Sequence, residues 1–190
     1  MEDSIHTVIC WFVLPLWFAA GFADYLFHRR TQIERYSGTT ESLIHHLMMA
    51  QVGLPLILAA FFRIDALLIA VFAICFIAHE ITGNIDIRWA SGHGRYVSAS
   101  EEQVHSVLEI LPLAAALLVI LPHFGQALAL FGQGPEHADF SLALKAPPPL
   151  WQIGMTAIAL IVLVIGPYTE ETVRCLRTSR HAAAGFKPVE

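Results

Sequence analysis

RYSGTTESLIH, residues 35–45, returns sixty residues later as RYVSASEEQVH, residues 95–105. Both copies open on an Arg-Tyr pair, Arg35-Tyr36 and Arg95-Tyr96. Both close on a carboxylate followed four residues later by an imidazole, Glu41 and His45 in the first and Glu101 and His105 in the second. Each copy leads into a long apolar run. Residues four apart share one face of a helix. A carboxylate and an imidazole offered twice, at the same depth of two apolar helices, is how a helical bundle presents metal ligands to its interior. The duplication predicts the architecture as well: two similar helical hairpins in tandem.

Composition agrees with helices in lipid. The chain of 190 residues is 56% hydrophobic and 14% charged, with mean hydropathy +0.59, where soluble domains carry roughly 25% charged residues. Five runs approach the ~20 residues that cross a hydrocarbon core as helix, near 7–27, 42–62, 64–82, 104–122 and 149–167. The expected fold is therefore all-α and polytopic, with five transmembrane helices. Four of them, in hairpins 7–62 and 64–122, form a metal-binding bundle over residues 1–122. A Gly/Pro-rich extracytoplasmic loop covers 123–148, the fifth helix covers 149–167, and a basic cytoplasmic tail covers 168–190. Pro15, Pro55 and Pro112 lie inside spans and predict kinks.

Nine of the eleven Lys and Arg residues fall at one set of helix ends (Arg29, Arg30, Arg35, Arg88, Arg95, Arg174, Arg177, Arg180, Lys187). Arg63 and Lys145 fall at the other. By the positive-inside rule this predicts an integral membrane protein, in a bacterial inner membrane, with its N-terminus out and C-terminus in the cytoplasm. The acidic start, MEDSIH, does not resemble a cleaved signal peptide. A net charge of −5 offers no basic face for nucleic acid. Cys10, Cys75 and Cys175 are scattered and read as apolar filler, with neither zinc spacing nor a disulfide framework.

The titratable residues gather at the basic helix ends. Asp24 and His28 close the first span, Glu41, His45 and His46 open the second, and His79 closes the third with Asp86 two turns on. Glu101, Glu102, His105 and Glu109 open the fourth. Ionisable groups at membrane depth are costly and mark function. The predicted metal ligands are Asp24, His28, Glu41, His45, His79, Asp86, Glu101, Glu102 and His105, with Glu41, Glu101 and Glu102 as the carboxylates acting at the reacting centre. Glu34, His46, Arg35, Arg95 and Glu109 are further or supporting candidates. Aligned on the Arg-Tyr pair, Asn84 and Arg88 occupy the places of Asp24 and His28, so the repeat breaks there, and His79 and Asp86 are its displaced equivalents. Plainer roles compete. Ser98-x-x-Glu101 is a capping box, acids in a first turn complement the helix dipole, and Tyr36 and Tyr96 suit the aromatic belt at the interface.

Mixed carboxylate and imidazole donors suit iron, manganese or zinc, and one acid with one histidine per helix suits a pair of ions. Glu102-x-x-His105 has the Glu-x-x-His spacing of ferritin-like di-iron proteins, and Glu101 offers the alternative four-residue step. Over residues 24–109 the layout resembles the membrane fatty acid hydroxylases and desaturases, although the HxxxH and HxxHH boxes of that group are absent. The mixed donor set is similar to that of carboxylate-bridged membrane oxidases and quinone hydroxylases. The resemblance implies two iron ions, with zinc or manganese as alternatives. It also implies dioxygen-dependent hydroxylation or desaturation of a hydrophobic substrate taken from the bilayer. The electrons would come from a cytoplasmic donor such as a ferredoxin or reductase. A zinc-dependent lipid amide or ester hydrolase and a non-enzymatic metal, haem or transport protein are the rival readings.

Overall fold

A computed structural model describes residues 2–185. Five helices in it are long and apolar enough to cross a membrane: α1 Asp3–Arg30, α2 Gly38–Phe61, α3 Ala66–Gly92, α4 Ala99–Leu130 and α5 Leu150–His181. A single helical turn, Ile33–Tyr36, links α1 to α2. All five spans are found, but the helices overrun the apolar runs at their polar ends. The residues expected to start a loop at 123 instead continue α4 to Leu130 through a tight turn at Leu121–His123. The residues expected to be a tail after 167 carry α5 onward through Gly185.

The outside of the bundle is apolar and its inside is partly charged, the reverse of a soluble domain. On α3, Ile74, Ile77, Ile81 and Ile85 are exposed at helical spacing, while His79, Gly83 and Asp86 are buried. Leu43, Leu47, Leu54 and Ile57 form the matching stripe on α2. Lipid is the solvent in which both faces are satisfied, because apolar side chains lose nothing against acyl chains and polar groups must find partners inside.

Neighbouring helices run α1–α4, α4–α3, α3–α2, α2–α5 and α5–α1, which closes a ring of five. α5 therefore stands between the two helices of the first predicted hairpin. At one end of the ring, Ile64, Leu68, Ile69 and Phe72 form an apolar plug with residues of α2 and α4. Residues after α4 return over this end and bond to the α2–α3 turn, through Arg63 N–H to the Ala143 carbonyl (2.8 Å) and Lys145 N–H to the Phe61 carbonyl (3.0 Å). The other end holds the charged residues.

Two helices carry a π turn just before a proline. Ile9–Val13 precedes Pro15, and Ile161–Ile165 precedes Pro167. Proline has no N–H to return to the previous turn, and a widened turn accommodates the missing bond. At the second of these, a Cβ on Gly166 would lie 2.9 Å from the Ile161 carbonyl, so glycine is what lets the turn close. The extra residue in that turn rotates everything after it, and so sets which face of α5 meets the ring interior.

Candidate metal centre

Five carboxylates meet in one buried layer at the charged end: Asp24 of α1, Glu41 of α2, Asp86 of α3, Glu101 of α4 and Glu171 of α5. His28, His45 and His105 lie among them, with Arg95 from the α3–α4 loop. Three groups of these donors fall within 4.8 Å of one another: Asp24, His28, Glu101 and His105; Glu41, His45 and Asp86; and His28, His45 and Glu171.

The third group organises the other two. The His28 and His45 rings are stacked, 4.4 Å between centroids and 12° from parallel. One carboxylate spans both of them. His28 Nδ1 lies 2.9 Å from Glu171 Oε2, and His45 Nδ1 lies 3.1 Å from Glu171 Oε1. A carboxylate accepts, so each Nδ1 is the protonated nitrogen. Each Nε2 lies on the far side of its ring, turned away from Glu171. A carboxylate behind a histidine is the usual device that fixes tautomer and ring orientation for metal binding. Here one carboxylate orients two rings.

Those Nε2 atoms face acids. His28 Nε2 is 3.3 Å from Asp24 Oδ2 and 3.9 Å from Glu101 Oε1. His45 Nε2 is 3.3 Å from Asp86 Oδ1 and 4.0 Å from Glu41 Oε1. Neither Nε2, nor Asp86 Oδ1, nor either oxygen of Glu41 makes a hydrogen bond among the described residues. Buried polar atoms are ordinarily satisfied, and this convergent set of acid and imidazole atoms without hydrogen bonds could hold cations. The two halves differ. The half on α1 and α4 offers two acids and two imidazoles. The half on α2 and α3 offers two acids and one imidazole, because the position matching His28 is Arg88, which is exposed.

Arg95 sits behind the layer, 3% exposed. Its Nη1 donates to Glu101 Oε1 at 2.5 Å and to Thr31 Oγ1 at 3.2 Å. Its Nη2 lies 2.7 Å from Glu41 Oε1, an ion contact without hydrogen-bond angles. Burial opposes its charge, but Glu41 and Glu101 outweigh that and hold its pKa above the usual arginine value. The two repeat-related glutamates thus share one guanidinium. Its counterpart Arg35 is exposed. Glu101 also completes the capping box with Ser98, so capping and a place in the layer coexist in one side chain.

Not every predicted residue reaches the layer. Glu102 is exposed on α4, so Glu101 is the inward member of that pair, and the Glu102-x-x-His105 spacing does not operate. His79 is buried but is in none of the donor groups. It lies seven residues from Asp86, about 10 Å deeper at 1.5 Å per residue. Glu34 pairs with Arg174 instead. His46 Nδ1 donates to the Ser42 carbonyl at 2.9 Å. His46 and Glu109 line the cavity beside the layer. The resemblance to a four-helix plan left out Glu171 and Tyr168. Both belong to the stretch expected to be a tail. Tyr168 O–H donates to Asp24 Oδ2 at 2.8 Å and packs edge-on against both stacked imidazoles. The Gly166-Pro167 pair was the available signal that this helix has a built irregularity.

A cavity of about 370 Å³ abuts the layer. Asp24, His45, Asp86 and His105 line it, while Glu41, Glu101, His28, Glu171 and Arg95 do not, so the layer has an open front and a closed back. The rest of the wall is largely apolar, including Met48, Leu56, Leu108 and Val164. Searches against protein-family models, curated proteins and solved structures find no match to this chain.

Proposed function

We propose that the chain is an integral membrane di-metal oxidoreductase, with iron as the metal, that oxidises an apolar substrate with dioxygen at the cytoplasmic side of the bilayer. The observation that carries the reading is charge. The buried layer holds five carboxylates against one guanidinium, a surplus of four acids that bound cations, or protons on the acids and the three imidazoles, must balance. Buried charges persist only when paired. Protonating both stacked rings would set two cations face to face at 4.4 Å. Two divalent cations supply four positive charges, and the two donor groups supply a place for each. The ring spacing is close to the ~3.5–4 Å between ions in two-metal centres.

Asp24, His28, Glu101 and His105 would hold one ion, and Glu41, His45 and Asp86 the other. Arg95 would fix Glu41 and Glu101 from behind, and Glu171 would keep both Nε2 lone pairs forward. The three-donor half supports an exchangeable position on the side of Asp86 and His45, both of which face the cavity. Bound iron supplies dioxygen activation. The apolar wall supports a hydrocarbon substrate over an ester or amide, whose polar groups would need partners there. Hydroxylation balances as R–H + O₂ + 2 electrons + 2 protons giving R–OH + H₂O. Desaturation takes the same inputs, removes two hydrogens from the substrate and releases two waters. The electrons come from a cytoplasmic ferredoxin or reductase, for which exposed Arg29, Arg30 and Arg88 offer a basic rim.

The test is metal analysis and Mössbauer spectroscopy on protein purified from iron-replete cells. Two irons per chain are expected. His45→Ala and His105→Ala should each lose metal while still inserting in the membrane. Absence of any transition metal from the native protein, or full occupancy in both variants, would overturn the reading.

A further inference from the structure

Below the charged layer, a second cavity of about 590 Å³ continues between the helices, and Trp17, Leu56, His79 and Leu160 line both. Together they run from Asp86 and His45 toward the opposite end of the bundle. Polar residues line the two ends, among them Asp86, His46 and Glu109 near the layer and Asp3, His123 and Gln152 at the far end, and the wall between them is largely apolar around one polar station. His79 is 5% exposed, and neither ring nitrogen makes a hydrogen bond among the described residues, although the Met48 carbonyl lies near enough to interact with the ring. Gln51 of α2 lines the same cavity. Its amide nitrogen donates to Thr82 Oγ1 at 2.9 Å, and the Thr82 hydroxyl donates to the Ala78 carbonyl at 2.7 Å. That chain fixes which end of the amide is which. The Gln51 carbonyl oxygen is left buried with no partner.

Each residue at this station presents an acceptor: Gln51 its carbonyl oxygen, and a neutral His79 the ring nitrogen that carries no proton. Unpaired acceptors in a low-dielectric interior are costly, and a ligand able to donate relieves the cost. A ketone can accept from the His79 N–H but leaves the Gln51 oxygen unpaired, a plain alkane pairs with neither, and a hydroxyl both donates and accepts. A charged amine would bring an unpaired cation into an apolar wall.

We propose that His79 and Gln51 form a binding subsite for the hydroxyl group of a membrane-soluble, chain-like alcohol whose hydrocarbon body occupies the two joined cavities. The hydroxyl donates to one of the two acceptors. The site does not depend on the metal centre and is expected in metal-stripped protein as well. Where the metal reading also holds, it narrows the substrate to one whose oxidised carbon lies about 10 Å from an existing hydroxyl, since seven residues of helix separate His79 from Asp86.

Trp17 lines both cavities and reports on them. The experiment uses the full chain in phosphatidylcholine nanodiscs, with Trp11, Trp89 and Trp151 changed to Phe. Quenching of Trp17 is measured with 12-bromododecan-1-ol, 12-bromododecan-2-one and 1-bromododecane, each normalised to its partition into protein-free nanodiscs. The alcohol should quench at about tenfold lower concentration than the other two, the worth of one buried hydrogen bond. Whichever of His79→Leu and Gln51→Leu removes the acceptor in use should erase most of that preference, and if it is His79→Leu, His79→Gln, which keeps an acceptor, should restore part of it. The alkane should bind all variants alike, which also shows that they are folded. Equal quenching by alcohol and alkane, or a preference unchanged in both leucine variants, would overturn the proposal and leave a bound water as the partner of the two acceptors.

Discussion

At the residue scale, Glu171 is the most consequential side chain outside the repeat. It touches no predicted ligand acid, yet it sets the proton positions on both stacked imidazoles. Glu171→Gln can donate where the carboxylate accepts, so one ring is forced into the wrong tautomer. Loss of such a supporting partner costs roughly 10–100-fold in metal affinity. Competitive chelation should show a loss of that size in Glu171→Gln and no change in Glu102→Gln, whose parent carboxylate is exposed. Arg95 is the second such residue. Arg95→Leu strands two buried glutamates, and breaking a buried pair in this way costs about 3–5 kcal/mol. Unfolding in mild detergent, with Arg95→Lys as the partial rescue, measures it. Metal added before unfolding should recover part of the loss in Arg95→Leu, because cations then take over the role of the guanidinium.

At the element scale, the ring order makes α5 part of the site. It wedges between α1 and α2 and is tied to them and to the turn that links them by polar contacts, Tyr25 to Glu170 (2.8 Å), Ser42 to Thr172 (2.8 Å) and Arg174 to Glu34 of the turn. The π turn before Pro167 sets its phase. An α-helix advances about 100° per residue, at 3.6 residues per turn. One alanine inserted between Thr169 and Glu170 therefore swings Glu171 off the stacked imidazoles without shortening the span. Metal content should fall to that of Glu171→Leu or below, while an alanine inserted after Arg180 should leave it unchanged. Equal metal content in the two insertions would mean that α5 does not contribute to the centre.

At the scale of the whole molecule, the bundle is held by an apolar plug at one end and a charged layer at the other. The layer contributes stability only when its charge is balanced. Ligands that bind only the folded state stabilise it by mass action, about 4 kcal/mol at a thousand times Kd. Chelation should therefore lower the unfolding temperature of the native protein. It should do so much less in a variant carrying Glu41→Gln with Asp86→Asn, which removes two of the four surplus acids. A native protein whose unfolding temperature ignores chelation would contradict metals as the balancing charge.

The amino-acid sequence alone determined the five apolar helices, because lipid admits few other ways to satisfy a backbone. The end that carries the charge followed from where Asp24, His28, His45, Asp86, Glu101 and His105 fall along those helices, and the repeat of Glu41–His45 as Glu101–His105 followed from helical spacing. It did not decide which of Glu101 and Glu102 turns inward, since both suit a first helical turn; the capping box and Arg95 decide that. Nor did it place His79, whose depth depends on how far α3 runs past its apolar run. Tertiary structure alone brought Glu171 and Tyr168 into the layer. Helix periodicity extrapolated along α5 loses its phase at the π turn, and ring order is a property of how whole helices pack, to which the spacing of residues within one helix is blind.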